Sequence, residues 1–393
     1  MKLRIYLYCS CLLLSSIGSA QQNPFPLSEA GLEYLSGQAL FEKVWVSAPS
    51  STRASDGLGP LYNARSCAQC HPEAGKGSPD SGLIFRIADD ALGKQLQHRA
   101  VRGIAAEPQI DVAYNTSMEV LVDSDEIILH HPVYQFSEQI MELLPFSPRL
   151  PPSLQGLGLL ASIPLEEILA RADPDDSNRD GISGRAGVGR FGWKADVGSL
   201  EEQVALALSL DMGISSELEP NPMGDCTSQQ AECLILPNGA SRQDDYMEIG
   251  RPAFSSLLNF VSNIPVTPGE NTRQNANIAG QLIFQQIGCL ACHQTAYSEG
   301  NINPYSDLLL HDMGESLADT LDPDMMREWR TPPLWGLGAY SLQAEQFYLH
   351  DGRARSLTEA ILWHAGEAES SKRAFVALTQ TQREDLISFL QGL

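Results

Sequence analysis

The strongest constraint on this chain is a five-residue pattern that occurs twice, as CAQCH at 67–71 and as CLACH at 289–293. Cys-x-x-Cys-His is the attachment signature of c-type haem. The spacing suits that chemistry, because two thiols add across the vinyl groups of one porphyrin and the adjacent histidine reaches the iron. We therefore predict two covalently bound haem c groups, held by Cys67, Cys70 and His71 and by Cys289, Cys292 and His293.

Two other uses of a Cys-x-x-Cys pair fit the sequence less well. A zinc site needs four converging ligands, and a thioredoxin-like dithiol needs a βαβ setting. No βαβ pattern surrounds either pair, and both motifs follow a segment that is typical of exported proteins. Haem attachment outside the cytoplasm agrees with such a segment.

That segment, residues 1–20, has a basic start, an apolar run and small residues for cleavage at 18–20. The run is too short for a membrane span, and no later stretch approaches span length. A lipid anchor on Cys9 or Cys11 is disfavoured, because both cysteines lie inside the apolar run. We expect a soluble, exported protein in a bacterial periplasm.

The formal net charge of −23 argues against nucleic acid and anionic membranes as partners. Such an acidic surface suits a basic protein partner, or it serves solubility alone. Of these two interpretations, solubility alone is favoured.

Cysteines are also used away from the two motifs. Cys226 and Cys233 share one polar loop. In an oxidising compartment two such neighbours are expected to form a structural disulfide.

Segments around the two motifs resemble one another. GQALF at 37–41 precedes the first motif, and GQLIF at 280–284 precedes the second. Downstream, SLEEQ at 199–203 and SLTEA at 356–360 each begin with a serine suited to cap a helix. Matched features in the same order favour a duplicated haem unit.

The repeat predicts two unequal haems. Apolar residues at helical spacing follow Ser356, and His364 continues their stripe eight residues after that serine. The position eight residues after Ser199 is Ala207, which cannot bind iron. We predict one haem closed by His364 and the second-motif histidine, and one haem ligated by the first-motif histidine alone. A closed haem transfers electrons, whereas an open haem binds small ligands.

Rival axial ligands remain open at this stage. His311 and Met313 are close enough in sequence to the second motif to compete with His364, and Met313 is the main competitor. No histidine lies between His71 and His98, but His98, His130 or His131 could still ligate the first iron.

With these motifs in view, the chain resembles the superfamily of bacterial dihaem cytochrome c peroxidases and MauG. It is most similar to the dihaem oxidoreductase branch, whose members are described as peroxidases or thiol oxidoreductases. In the segment after the second haem, peroxidases typically carry methionine and MauG carries tyrosine where this chain has His364. The stretches that carry the resemblance are 147–164, 173–185, 189–196, 193–213, 305–314 and 330–368.

The resemblance implies roles for three residues near the first haem. Trp193 matches a tryptophan between the haems, and Gln203 matches a distal glutamine. Asp211 stands where the family has a distal glutamate. A small oxidant such as hydrogen peroxide would bind the open iron, positioned by Gln203. Asp211 would move the proton that O–O cleavage needs, and Trp193 would pass oxidising equivalents to the second haem.

An acidic tract at 173–183 suggests a further cofactor. Asp176, Asn178 and Asp180 match the first half of an EF-hand-like calcium loop. The closing glutamate is absent, since Gly187 occupies its place. Related enzymes hold calcium between their haems, so the alternatives are a calcium site and an acidic turn.

We expect a mainly α fold with two cytochrome c-like haem domains, long loop insertions and few short strands. Residues 21–215 would form the first domain, 216–269 a connecting segment and 270–393 the second domain. Thr381 and Glu384 predict the capping box of a closing helix.

Three functions are compatible with the sequence. The first is a periplasmic, peroxidase-like dihaem oxidoreductase that exchanges electrons with an unidentified redox protein. The second is a non-enzymatic electron-transfer protein, and the third is a MauG-like oxidase of a protein partner.

Overall fold

The computed structural model describes residues 28–121, 123, 125–137, 144–240, 246–269, 278–297 and 302–393. The predicted export signal at 1–20 lies outside these residues. No helix in the described part of the chain is long and apolar enough to cross a membrane.

The prediction of a mainly α fold is wrong. Helices make up 34% of the structure and strands 17%. Most of the strand residues lie between the first Cys-x-x-Cys-His motif and residue 149. One of the two eleven-residue strands begins at Ile110, and Ile110, Val112 and Tyr114 are its more buried side chains. This period-two pattern is typical of a strand. The sequence prediction instead assigned this segment to loop insertions with few short strands.

The helices are numbered along the chain. They are α1 (Glu29–Glu42), α2 (Cys67–Cys70), α3 (Pro79–Gly82), α4 (Leu157–Ser162), α5 (Leu165–Leu169), α6 (Leu200–Met212), α7 (Ala231–Leu234), α8 (Arg251–Ser262), α9 (Ile278–Gln286), α10 (Leu337–Ser341), α11 (Leu357–Leu362), α12 (Glu369–Val376) and α13 (Gln380–Leu390). The closing helix begins earlier than predicted, because Thr379 and Gln382 form its capping box.

The strands form small separate sheets. They are β1 (Val46–Ser47), β2 (Asp56–Leu58), β3 (Leu61–Tyr62), β4 (Ile84–Asp89), β5 (Gly93–Gln95), β6 (Arg99–Ala100), β7 (Ile110–Val120), β8 (Glu126–Phe136), β9 (Phe146–Arg149), β10 (Leu310–Asp312) and β11 (Glu328–Arg330). The three-stranded sheet has the order β5-β4-β9, and the pairs are β1-β2, β3-β6, β7-β8 and β10-β11.

Both copies of the repeat pack in the same way. In α1, a Cβ on Gly37 would lie 2.0 Å from the carbonyl oxygen of Ser256 in α8. In α9, a Cβ on Gly280 would lie 2.1 Å from the carbonyl oxygen of Asp385 in α13. Glycine at each place therefore lets two helices approach closely. The phenylalanine four residues later packs on a second phenylalanine in each copy, at centroid distances of 5.2 and 5.4 Å.

The β7–β8 hairpin connects the two halves of the chain. Its open end packs against a core that includes Phe85, where Tyr134 lies 5.9 Å away in an edge contact. Near its turn, Leu121 joins the apolar cluster that contains Trp363. The domain boundaries proposed from the sequence remain a prediction.

The predicted disulfide between Cys226 and Cys233 is present in the structure. The residue before it, Asp225, accepts hydrogen bonds at Oδ2 from the backbone amides of Lys94 (2.7 Å) and Gln95 (2.9 Å). The disulfide-containing loop is thereby attached to β5.

Candidate functional site

A single cavity of about 930 Å³ connects the two Cys-x-x-Cys-His motifs. Aliphatic and aromatic side chains from both halves of the chain form much of its wall. The structure brings all the predicted haem-site residues to this cavity, although they come from distant parts of the sequence. These residues are Cys67, Cys70, His71, Trp193, Gln203, Asp211, Cys289, Cys292, His293 and His364.

The three predicted iron ligands are oriented in the same way. Nδ1 of His71 faces the carbonyl oxygen of Gly75 at 3.3 Å. Nδ1 of His293 faces that of Tyr305 at 2.9 Å, and Nδ1 of His364 faces that of Ala360 at 2.8 Å. Because a carbonyl oxygen only accepts, each Nδ1 carries the proton, and Nε2 keeps the lone pair that a metal needs.

Burial keeps these imidazoles neutral. It lowers the pKa of His71 and of His293 to about 4, although backbone carbonyls oppose the shift. Burial also lowers the pKa of His364, and the nearby charge of Lys372 adds to this effect. Neutral imidazole is the form that ligates a metal.

The motif cysteines are poor thiolates. Burial raises the pKa of Cys67, Cys70 and Cys289 to about 12, and Asp211 adds to the shift at Cys67 and Cys70. A redox dithiol needs thiolate at neutral pH. Buried, protonated thiols therefore argue against that alternative.

Of the rivals to His364, His311 is already occupied. Its Nδ1 donates to Glu367 Oε2 at 2.7 Å, and its Nε2 donates to Asp307 Oδ2 at 2.9 Å. The side chain is 2% exposed. Both nitrogens of this imidazolium donate hydrogen bonds, so neither is free to bind iron. Met313, which also lines the cavity, remains a rival.

The three rivals at the first site lie elsewhere. His98 borders a separate cavity of about 720 Å³. His130 contacts Glu359 at 3.1 Å, and His131 contacts Ser117 at 2.7 Å. Among the residues that the structure describes, none of the three lines the cavity that joins the two motifs.

One face of α6 forms a wall near the first motif. Gln203, Ala207 and Asp211 are spaced four residues apart, so they share a helical face, and all three line the cavity. The helix starts with a capping box in which Ser199 Oγ accepts from the amide of Glu202. The first site thus receives an alanine and a carboxylate where the second receives His364.

Asp211 is the carboxylate on this face of α6. Gln95 Nε2 donates to its Oδ1 at 2.7 Å. Burial raises the pKa of Asp211, while Arg86 and the Gln95 hydrogen bond oppose the shift. Sequence reasoning missed Gln95 and Arg86. The signal that could have found them is the polar residues between apolar ones in IFRIADDALGKQLQ (84–97).

Trp193 lies in an aromatic group at the cavity wall. Its Nε1 donates to the carbonyl oxygen of Leu150 at 2.8 Å, which fixes the ring. His350 makes an edge contact with it at 6.5 Å and stacks on Trp329 at 3.6 Å. His350 thus contacts two tryptophans.

The acidic tract adopts a compact turn. Asp176 carboxylate oxygens accept from the amide of Gly181, and Asp180 Oδ1 accepts from that of Ile182. Asn178 Nδ2 donates to Asp180 Oδ2 at 3.0 Å. These groups cap backbone amides, and calcium binding here remains a prediction.

Two polar atoms on the cavity wall need a partner. Arg86 Nε and Gln203 Oε1 are buried without a hydrogen bond among the described residues. Buried polar groups normally have one. Together with oriented imidazoles, protonated thiols and apolar walls, they fit haem propionates or a small polar ligand beside haem. The residues present therefore fit two haem groups.

A cavity that joins two Cys-x-x-Cys-His motifs and a third oriented histidine is the arrangement expected of a dihaem protein. The chain belongs to the di-haem oxidoreductase family, whose model, described as "Di-haem oxidoreductase, putative peroxidase", matches residues 15–86 and 144–393. The resemblance inferred from the sequence is thereby confirmed.

Other comparisons add little. No curated protein matches the chain. A solved structure of Kuenenia stuttgartiensis hydrazine synthase, pressurized with 20 bar xenon, aligns over 99% of this chain and 100% of that chain. Its identity is 15% and its TM-score 0.38, so the likeness supports no conclusion here.

Residues 87–143 lie outside the match to the family. They contain β5, β7 and β8. Gln95, which contacts Asp211, and His130, which contacts the helix before His364, therefore lie in a segment that the family model does not match.

Proposed function

We propose that this protein is a periplasmic dihaem c-type oxidoreductase that reduces hydrogen peroxide, or a related small oxidant, at the first of its two haems. Family membership supports the oxidoreductase class. The observation that carries the proposal is the asymmetry of the cavity. His364 lies near the second motif, whereas Ala207 and Asp211 line the wall near the first.

The cofactors would be two haem c groups. Cys67 and Cys70 would carry one, with His71 on its iron, and the second-motif cysteines would carry the other, between His293 and His364. Haem supplies an iron that binds a small oxidant and takes part in one-electron chemistry. The export segment at 1–20 and the disulfide support an oxidising compartment.

The chain's own contribution at the first site is proton movement and positioning. Asp211 has one carboxylate oxygen held by Gln95 and a pKa raised by burial, which brings the group closer to working pH. A carboxylate placed in this way can accept a proton and return it, which is worth about 10²–10⁴ in rate. Gln203 would orient the oxidant through its carboxamide, whose oxygen has no partner among the described residues.

Trp193 would lie on the path between the two sites. It lines the cavity, its ring is fixed by Leu150, and it contacts His350. A rigid, buried indole is suited to electron transfer because little reorganisation accompanies it. The second site would then exchange electrons with an external redox protein.

Electron paramagnetic resonance of the ferric, haem-loaded protein tests the asymmetry. We expect one high-spin signal and one low-spin bis-imidazole signal, and peroxide should alter the high-spin species. Two low-spin signals without a response to peroxide, before and after one-electron reduction, would instead identify an electron-transfer protein.

A further inference from the structure

A buried glutamine contacts the carboxylate assigned to the first site. Gln95 is the last residue of β5 and is 0% exposed. Its Nε2 donates to Asp211 Oδ1 at 2.7 Å and faces the carbonyl oxygen of Leu210 at 3.2 Å. A flipped amide would place Oε1 against two acceptors, so the contacts fix the orientation of the carboxamide.

We propose that Gln95 is a positioning residue for Asp211, which holds one carboxylate oxygen so that the other is presented to the cavity. The inference rests on the proposed role of Asp211. Oδ2 of Asp211 has no hydrogen-bond partner among the described residues, while the side chain lines the cavity. The carboxylate is thus tethered at one oxygen and open at the other.

Gln95 is itself held from two sides. Gln95 pairs with Arg86 across the β4–β5 ladder. Its backbone amide donates to Asp225 Oδ2 at 2.9 Å, beside the disulfide loop. With both strand and amide fixed, the carboxamide has little freedom to leave Asp211, as a positioning role requires.

The charged and titratable groups around Asp211 are few. Arg86 from β4 lowers its pKa. Cys67 and Cys70 from α2 lie near enough to respond to its charge, and as thioethers they would not titrate. Gln95 therefore supplies a hydrogen bond from an uncharged amide that favours the ionised carboxylate, and its loss should raise the pKa of Asp211.

The chain provides a matched control two residues away. Gln97 is also buried, at 1% exposed, and its Nε2 donates to the same carbonyl oxygen of Leu210 at 2.8 Å. It makes no hydrogen bond to Asp211 among the described residues. Gln95→Leu and Gln97→Leu both remove a buried amide that bonds to Leu210, but Gln95→Leu alone removes the bond to Asp211.

The experiment uses the full, haem-loaded protein and two readouts. The first is the pH dependence of fluoride affinity at the ferric high-spin haem, followed optically. The second is the acid limb of kcat/KM for peroxide. In Gln95→Leu we expect both midpoints to move upward by about one pH unit, because a charge-assisted hydrogen bond is lost. In Gln97→Leu we expect no shift, with a similar loss of thermal stability.

Equal midpoints in the two leucine variants would overturn the positioning role. If Gln95→Leu fails to fold or to load haem, Gln95→Met, which keeps the length of the side chain, replaces it with the same expectation. Asp211→Asn separates the two proposals. An acid limb that persists in Asp211→Asn removes the role of Asp211, whereas a lost limb with unshifted Gln95 variants removes only the role of Gln95.

Discussion

The charge state of each buried histidine depends on the group that accepts a hydrogen bond from its Nδ1. At His71, His293 and His364 a backbone carbonyl accepts from Nδ1, and the ring stays neutral. At His311 two carboxylates surround the ring and hold it charged. Sequence spacing identified the first three as ligand candidates. It left His311 undecided, because Glu367 lies 56 residues away in the chain.

At the first site we predict that Asp211→Asn lowers kcat/KM for peroxide by about 10²–10⁴-fold, because the amide cannot accept the proton. Glu201→Gln is the control, since Glu201 is an exposed acid on the same helix. Steady-state turnover of haem-loaded protein measures the effect. Equal rates for the Asp211→Asn variant and the wild type would rule out acid-base catalysis by this group.

At the second site we predict that His364→Met raises the reduction potential of the low-spin haem, because a Met/His haem has a higher potential than a bis-histidine haem. Met313→Leu should leave the potential unchanged. Redox titration followed optically measures both variants. A shift in Met313→Leu and none in His364→Met would make Met313 the ligand.

His311 should also make stability depend on pH. Burial alone would lower its pKa, but the hydrogen bonds to Asp307 and Glu367 raise the pKa well above its usual value. A raised folded-state pKa stabilises fully below the unfolded value of about 6.5 and ever less as pH rises toward the folded value. The melting-temperature difference between wild type and His311→Gln should therefore be larger at pH 6 than at pH 9. A difference that grows with pH would contradict the ion-paired state.

At the scale of elements, α11 is held by the hairpin through one buried carboxylate. Glu359 is 1% exposed and accepts from the amides of His130 and Arg355, each at 2.7 Å, and from Trp363 Nε1 at 3.3 Å. This helix precedes His364. The hairpin therefore holds the helix that ends two residues before the proposed second-site ligand.

Glu359→Gln should lower the free energy of unfolding by about 1–3 kcal/mol, because an amide donor replaces one acceptor oxygen among several donors. Urea unfolding measures the loss. Glu345→Gln, at an exposed position, is the control and should change stability little. If both variants unfold at the same urea concentration, the carboxylate does not hold the helix.

Local signals predicted some elements better than others. Ser199 and Ser356 cap their helices as expected, because a cap depends on residues three positions apart. The start of the closing helix was predicted two residues too late, because Thr379 and Thr381 are equally suited to cap it. The Gln95–Asp211 contact joins residues 116 positions apart, and no local pattern encodes such a pairing.

At the scale of the molecule, the charge of −23 gives a prediction about delivery of electrons. Reduction by a basic cytochrome c should slow as ionic strength rises, because salt screens the attraction. Stopped-flow measurement at increasing salt tests this, with an acidic flavodoxin as the control that should show the opposite trend. A rate independent of salt for both donors would mean that the charge serves solubility alone.

A short series of contacts connects the disulfide to the first site. Cys226 follows Asp225, whose carboxylate holds the amide of Gln95, and Gln95 holds Asp211. A dithiol reductant that opens the Cys226–Cys233 bond would thus loosen, through these two hydrogen bonds, the carboxylate assigned to proton transfer. Peroxide turnover should therefore be highest where the surroundings are oxidising and this disulfide stays intact.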